Sequence, residues 1–292
     1  MQIVMCQPEI KRFSWELEVI LTNLKILGFP ANRINLLFSI RDGKTAKYLH
    51  DKYKINVFRY IDNRDDTSYI PSIRPYLWSQ WLKEYPDKES GTYLYIDSDL
   101  IFRKMPDWSK LVGTSEHWYC ADTRGYLGLK YILSRKQGTI IEKAMQGITH
   151  TTPEQIEKLD KNIGGAQWII NNPTQGYWNK VYHDSNCIWH YLENTETDLQ
   201  KWTAEMWAMD YNLAYFGISP QISDELSFSW STDPIESFSK HNILHNAGVI
   251  KDGEGMFFKG KYVDHTPFKE DFSWINKEKC SYKYVQAIKA VE

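Results

Sequence analysis

Tyr93-Leu94-Tyr95-Ile96-Asp97-Ser98-Asp99-Leu100-Ile101-Phe102 is the stretch on which the reading of the fold turns. Four apolar residues, two carboxylates one residue apart and three more apolar residues describe a buried strand that delivers Asp97 and Asp99 where it leaves a sheet. An unbroken apolar run suits the centre of a mostly parallel sheet covered on both faces. Open α/β sheets bind ligands outside the carboxyl ends of their strands, and uncompensated carboxylates are costly to bury. The pair therefore reads as a site for a hard divalent cation, Mn2+ or Mg2+, which prefers carboxylate oxygens. Two Asp at this spacing also arise by chance, and a turn cap or an ion pair with Arg103 is the structural alternative.

Working outward, strand-like segments at 3–6, 34–39 and 57–61 and a periodic helix at 15–27 alternate as βαβ units. Residues 74–85 carry Leu77, Trp78, Trp81 and Leu82 at helical spacing, with Pro75 in the first turn and Pro86 past the end. Beyond the Asp pair, Thr151-Thr152-Pro153-Glu154 reads as a cap opening a short helix before Gly164-Gly165. A strand at 166–171, a turn at 172–176 and a helix at 202–216, ended by Gly217 and Pro220, follow. The expected class is α/β, a mixed and mostly parallel central sheet flanked by helices. One domain is expected over 1–292, with the segment 257–292, rich in Lys and aromatic residues, packed on it as a solvated closing element.

A formal net charge of −2 argues against a protein held to nucleic acid by bulk electrostatics, although a local basic patch is compatible with that sum. Cys6, Cys120, Cys187 and Cys280 are scattered and lack C-x-x-C spacing, so neither a zinc site nor a disulfide framework is indicated. With no basic leader, apolar signal segment or stretch long enough to span a bilayer, the expectation is a cytoplasmic protein without a membrane partner. Trp168, Trp178, Trp189, Trp207 and Trp230 offer faces for a sugar or a base, with most expected in the core.

Far downstream, His245-Asn246-Ala247-Gly248-Val249-Ile250-Lys251 offers an imidazole for a metal, a glycine that lets backbone approach phosphates and a point charge for a diphosphate. YIDSDL together with HNAGVIK resembles the retaining glycosyltransferases of the GT-A (Rossmann-like) fold, in which a D-x-D and an H-x-x-G-x-x-K bind the metal and UDP. The resemblance implies Asp97, Asp99 and His245 as metal ligands and Asp97, Ser98, Gly248 and Lys251 at a UDP-sugar donor. It further implies that the strand holding Gly164, Gly165 and Gln167 lies under the sugar, with Gln7 and Pro8 against the base. Arg74 is expected at the donor phosphates or ribose, or else in a surface ion pair.

CQP at Cys6, the R-P helix and W-T-A-E-M-W at 202–207 more narrowly resemble hydroxyproline O-arabinosyltransferases and peptidyl-serine galactosyltransferases. That likeness suggests a pentose such as arabinose or a hexose such as galactose. Retention needs a nucleophile or a front-face reaction, and Glu205 and Asp210 are the candidate carboxylates, with Asp210 the one expected to face solvent. Gln167 is the amide candidate at the sugar. The acceptor hydroxyl is left open among a saccharide, a protein and a hydroxymethylated base in phage DNA, with the net charge weighing against DNA. A non-catalytic nucleotide-sugar binding protein, or a metal-dependent nucleotidyltransferase or phosphohydrolase, are the competing classes. The latter wants a Gly-rich phosphate loop that Cys6-Gln7-Pro8-Glu9 does not supply.

Overall fold

The computed structural model describes residues 1–291. In chain order the elements are β1 (Gln2–Pro8), α1 (Lys11–Ile26), β2 (Ile34–Ile40), α2 (Lys44–Tyr53), β3 (Asn56–Ile61), α3 (Ile73–Glu84), β4 (Thr92–Tyr95), β5 (Leu100–Phe102) and β6 (His117–Asp122). Helices α4 (Arg124–Leu127), α5 (Leu129–Leu133), α6 (Gly138–Thr149) and α7 (Pro153–Asp160) precede β7 (Gly164–Asn171), α8 (Gln175–Glu193) and α9 (Ala204–Tyr215). Strands β8 (Ser219–Ile222) and β9 (Phe228–Trp230), helix α10 (Ser237–Lys240), strand β10 (Ile243–His245) and helix α11 (Ser281–Lys289) follow. Among the described residues this is a mixed α/β fold, with seven strands in the central sheet, flanking helices and a second sheet of three strands. Two compact units make it up. The first comprises Met1–Arg59, Ile96–Lys110 and the described residues from Asp224 onward, and the second Tyr60–Tyr95 with Leu111–Ser223.

In the first unit β1 lies parallel to β2, with Ile3 opposite Ile34 and Pro8 opposite Ser39. Ile3, Val4, Met5 and Cys6 are all buried, as an apolar run without alternation requires. The three-stranded sheet has the order β5-β10-β9, with β10 antiparallel to β5 and parallel to β9. Trp15 and Val19 of α1 share a core with Ile101, Leu244, Phe257, Tyr262, Phe272, Tyr284, Val285 and Ile288. The Trp15 indole N–H donates to the Tyr262 carbonyl at 2.9 Å. Burying one large apolar side chain is worth roughly 1.5–3 kcal/mol, so the aromatic residues of 257–292 anchor that segment to α1 while Lys261 and Lys269 stay outside.

The second unit carries the strand order β4-β7-β6-β8, in which β7 is antiparallel to both neighbours and β6 is parallel to β8. Trp78 of α3 stacks on Trp178 of α8 at 4.9 Å and 3°, with Trp81, Tyr93 and Tyr95 around them edge-on. Thr152 and Gln155 form a reciprocal capping box at the start of α7, as the sequence predicts. The expected turn at 172–176 stops short. Thr174 caps a 19-residue helix by accepting the Tyr177 N–H, and Glu89 accepts that of Gln175, so Gln175 and Gly176 open α8. Gly176 costs little there because the first turn has no intrahelical N–H partners to lose. The helix α2 was also not foreseen; its N-terminal loop is held by Glu9, whose carboxylate accepts the N–H groups of Arg41, Gly43 and Thr45.

Candidate functional site

The Asp pair follows β4, and Ile96 still donates to the Val4 carbonyl at 3.1 Å before the chain turns through Asp97-Ser98-Asp99 into β5. Antiparallel pairing of β5 with β10 sets His245 opposite Leu100 and directs the Asn246 N–H to the Asp99 carbonyl at 2.8 Å. Two segments nearly 150 residues apart are thereby placed side by side by backbone hydrogen bonds. His245 Nε2 lies 3.2 Å from Asp99 Oδ1 and 4.0 Å from Asp97 Oδ2. One ligand atom from each of Asp97, Asp99 and His245 falls within 4.8 Å of the other two. Trp230 lies parallel to the imidazole at 6.1 Å and Phe228 tilts against it at 5.5 Å.

Behind the triad stands a network that the sequence did not announce. Lys259, from the tail read as solvated, places its ammonium on Asp99 Oδ2. Glu16 of α1 is fully buried and accepts from Ser98 Oγ at 2.7 Å and from Arg12 Nε at 2.8 Å. Burial alone would raise the Asp99 carboxyl, but the charges of Lys259 and His245 outweigh it and hold the group far below the usual carboxylate range. Burial likewise opposes a charged His245, yet Asp99 and Asp97 beside it raise its pKa overall. Glu16 is pushed up by burial against the pull of Arg12. Tyr284, fully buried against these acids, has its phenol pushed up as well, and its hydroxyl finds no hydrogen-bond partner among the described residues.

The other members of the downstream motif stand differently. Gly248 has φ +88°, a left-handed conformation, and a Cβ there would make ordinary contacts with Thr232 at 3.5 Å and Trp230 at 3.8 Å, so backbone conformation and not crowding calls for glycine. Lys251 is exposed and pairs with Glu254 at 3.0 Å. Ser98 spends its hydroxyl on Glu16, and Arg103 donates to the His241 carbonyl at 2.9 Å instead of pairing with the Asp residues. Gln7 is buried opposite Phe38, and Pro8 ends β1 half-buried.

The remaining candidates belong to the second unit. Arg74 bonds Glu205 Oε2 at 2.7 Å in an ion pair whose Glu205 side chain is 3% exposed, so the surface pair foreseen for Arg74 is in fact a buried one. Tyr69 clamps the same corner, accepting the Glu205 N–H at 2.8 Å and donating to the Trp202 carbonyl at 2.6 Å. Asp210 does not face solvent. It is completely buried on α9, where neighbouring Trp207, Ala208, Met209 and Tyr211 leave no exposed face, and burial drives its carboxyl well above the usual range. The Gly164 N–H faces it, but neither oxygen has a partner of normal hydrogen-bond geometry among the described residues. Gly164 is itself explained by packing: a Cβ there would collide with Cys120 Sγ across the irregular β6–β7 pairing, and one at Gly165 would meet Met206 at 2.6 Å. Gln167 is buried within β7. Trp168, Trp178 and Trp207 are core residues, while Trp189 stacks on Tyr69 at 4.7 Å.

Solved structures of similar fold are glycosyltransferases. The chain is similar to the galactosyltransferase LgtC in complex with donor and acceptor sugar analogues, at 12% identity and a TM-score of 0.51, covering 99% of this chain and 95% of LgtC. An active-site mutant of LgtC matches at 13% identity and a TM-score of 0.52, covering 98% of this chain and 95% of that one. The fold is that of GT-A glycosyltransferases. The bifunctional glycosyltransferase WbbM matches at 8% identity and a TM-score of 0.50 over 99% of this chain; the chain spans about half of WbbM, 49% of its length. No protein-family model and no curated protein sequence matches the chain.

Two carboxylates and an imidazole within reach of one point are a donor set that suits Mn2+ and, through the oxygens, Mg2+. The buried Asp99 is held ionised by its neighbours, which is the state a metal ligand needs. The residues present therefore fit a divalent ion.

Proposed function

We propose that this chain is a metal-dependent glycosyltransferase that moves a sugar from a UDP-sugar to an acceptor hydroxyl with retention at the sugar carbon. The observation that carries the reading is the convergence of Asp97, Asp99 and His245 on one point, within a fold held in common with LgtC. Asp97, Asp99 and His245 would hold the ion, which neutralises charge on the departing diphosphate. The bond from the sugar carbon to the phosphate oxygen breaks as the bond to the acceptor oxygen forms, and the acceptor proton passes to the leaving phosphate. Lys251, exposed in the loop after His245, is the cation for that diphosphate, and the left-handed turn at Gly248 supports the loop.

Glu205 and Gln167 are assigned to positioning the sugar, and both units are taken as one catalytic domain because the likeness to LgtC covers 99% of this chain. A reducing, cytoplasmic setting suits four cysteines that are all free. No helix among the described residues is long and apolar enough to cross a membrane. The sugar, a hexose such as galactose or a pentose such as arabinose, rests on the LgtC likeness and on the resemblance of the Trp202–Trp207 motif.

UDP release from UDP-galactose, UDP-glucose and UDP-arabinose, with and without Mn2+, tests the reading. Release that needs Mn2+ and rises with one acceptor among saccharides, hydroxyl-bearing peptides and hydroxymethylated DNA is expected. Absence of Mn2+-dependent release from every donor would contradict it.

A further inference from the structure

We propose that Lys259 is the internal counter-cation of the Asp97–Asp99–His245 site, competing with the divalent ion for Asp99, so that ion binding and withdrawal of Lys259 are a single event. The inference rests on the metal reading above. Asp99 uses both oxygens: Oδ1 faces His245 at 3.2 Å and Oδ2 carries the Lys259 ammonium. An ion ligated by Asp99 takes over lone pairs that the ammonium now uses, and two cations a few ångströms apart repel strongly in a buried site. The two aspartates carry a formal charge of −2, which a divalent ion balances without help from Lys259.

The geometry also says which partner moves. The Asp99 side chain is 6% exposed and its backbone is held by the Asn246 N–H, whereas the Lys259 side chain is 23% exposed. Lys259 opens a 3-10 turn (Lys259–Tyr262) whose far end is pinned: Tyr262 is buried, stacks on Phe257 at 5.2 Å and accepts the Trp15 indole N–H. The turn stays with the core while the four-carbon stem swings, so the ammonium remains close by as a single positive charge released beside the site. Lys259 lies outside the H-x-x-G-x-x-K motif and is tethered to the ion's own ligand, which separates its role from that of Lys251.

Mn2+ titration followed by electron paramagnetic resonance, on the wild type, Lys259→Met and Lys259→Arg, tests this without reference to activity. Lys259→Met is expected to bind Mn2+ about tenfold more tightly than the wild type, in the ordinary range of coupling between sites. It is also expected to melt at a lower temperature without the ion and to recover with it. Lys259→Arg, which keeps the charge, is expected to stay close to the wild type. Lys259→Gln serves for the same comparison where the Met variant does not fold. If the wild type binds Mn2+ and the uncharged variants bind no more tightly, the competition is overturned while the metal site stands. If neither the wild type nor the variants bind Mn2+, the metal site falls and the competition with it.

Discussion

Asp99 and Asp210 are both buried aspartates, one in each unit, and their surroundings drive them in opposite directions. Lys259 and His245 meet Asp99 and hold it ionised despite burial. Among the described residues no cation is paired with Asp210; the Gly164 N–H faces it, and burial raises its carboxyl well above the usual range. A carboxylate in a core is thus not a site by virtue of burial. What marks the first unit is that its acids come with cations whose positions leave the carboxylate charged and ready for a metal. Glu205 stands between the two cases, buried and paired with Arg74.

Breaking the intermediate case should cost most. Arg74→Met removes the guanidinium from the buried end of the Arg74–Glu205 pair; deleting one partner of a buried pair costs about 3–5 kcal/mol, and denaturant unfolding is expected to show a loss of about 3 kcal/mol. A loss below about 1 kcal/mol would mean that Arg74 does not hold Glu205 in place. Gly164→Ala comes next, because the added methyl collides with Cys120 and disturbs the Gly164 N–H that faces Asp210. Overpacking of this kind costs about 1–3 kcal/mol, and calorimetry should register it as a lowered Tm.

The smallest effect sharpens the contrast itself. The folded-state pKa of Asp210 lies above its value in the unfolded chain. The folded protein therefore holds a proton that the unfolded chain releases, so stability is greatest below the unfolded pKa and falls as pH rises toward the folded one. Asp210→Asn removes that slope. The variant should lie within about 1 kcal/mol of the wild type at about pH 4 and gain on it toward about pH 8. Equal pH profiles for the two proteins would show that Asp210 is charged in the fold.

Much of the first unit was legible in the sequence. The apolar runs of β1 and β2, the Asp97–Asp99 pair and the His245 motif are local patterns, whereas the β5–β10 pairing that sets the last two side by side is long-range and left no local sign. Lys259 was not legible, because a lysine in a segment of mixed charge carries no sign of the long-range contact that pins Tyr262 to Trp15. Glu16 did leave a trace, an acid between Trp15 and Leu17 on an otherwise apolar stretch of α1, whose meaning depends on Ser98 more than 80 residues away. In the second unit the turn signal Asn172-Pro173 overran into α8 because Thr174 as a cap competes with Gly176 as a breaker. The reading of Asp210 as exposed failed because α9 is buried around much of its circumference, which leaves little amphipathic period to read.

The most direct test of the central claim is a thermal-shift comparison of the wild type and Asp99→Asn with UDP, with and without Mn2+. A ligand that binds only the folded state raises its Tm. A rise with UDP in the wild type that requires Mn2+ and is lost in Asp99→Asn is expected. An equal rise in both proteins, or a rise in the wild type that is indifferent to Mn2+, would contradict it.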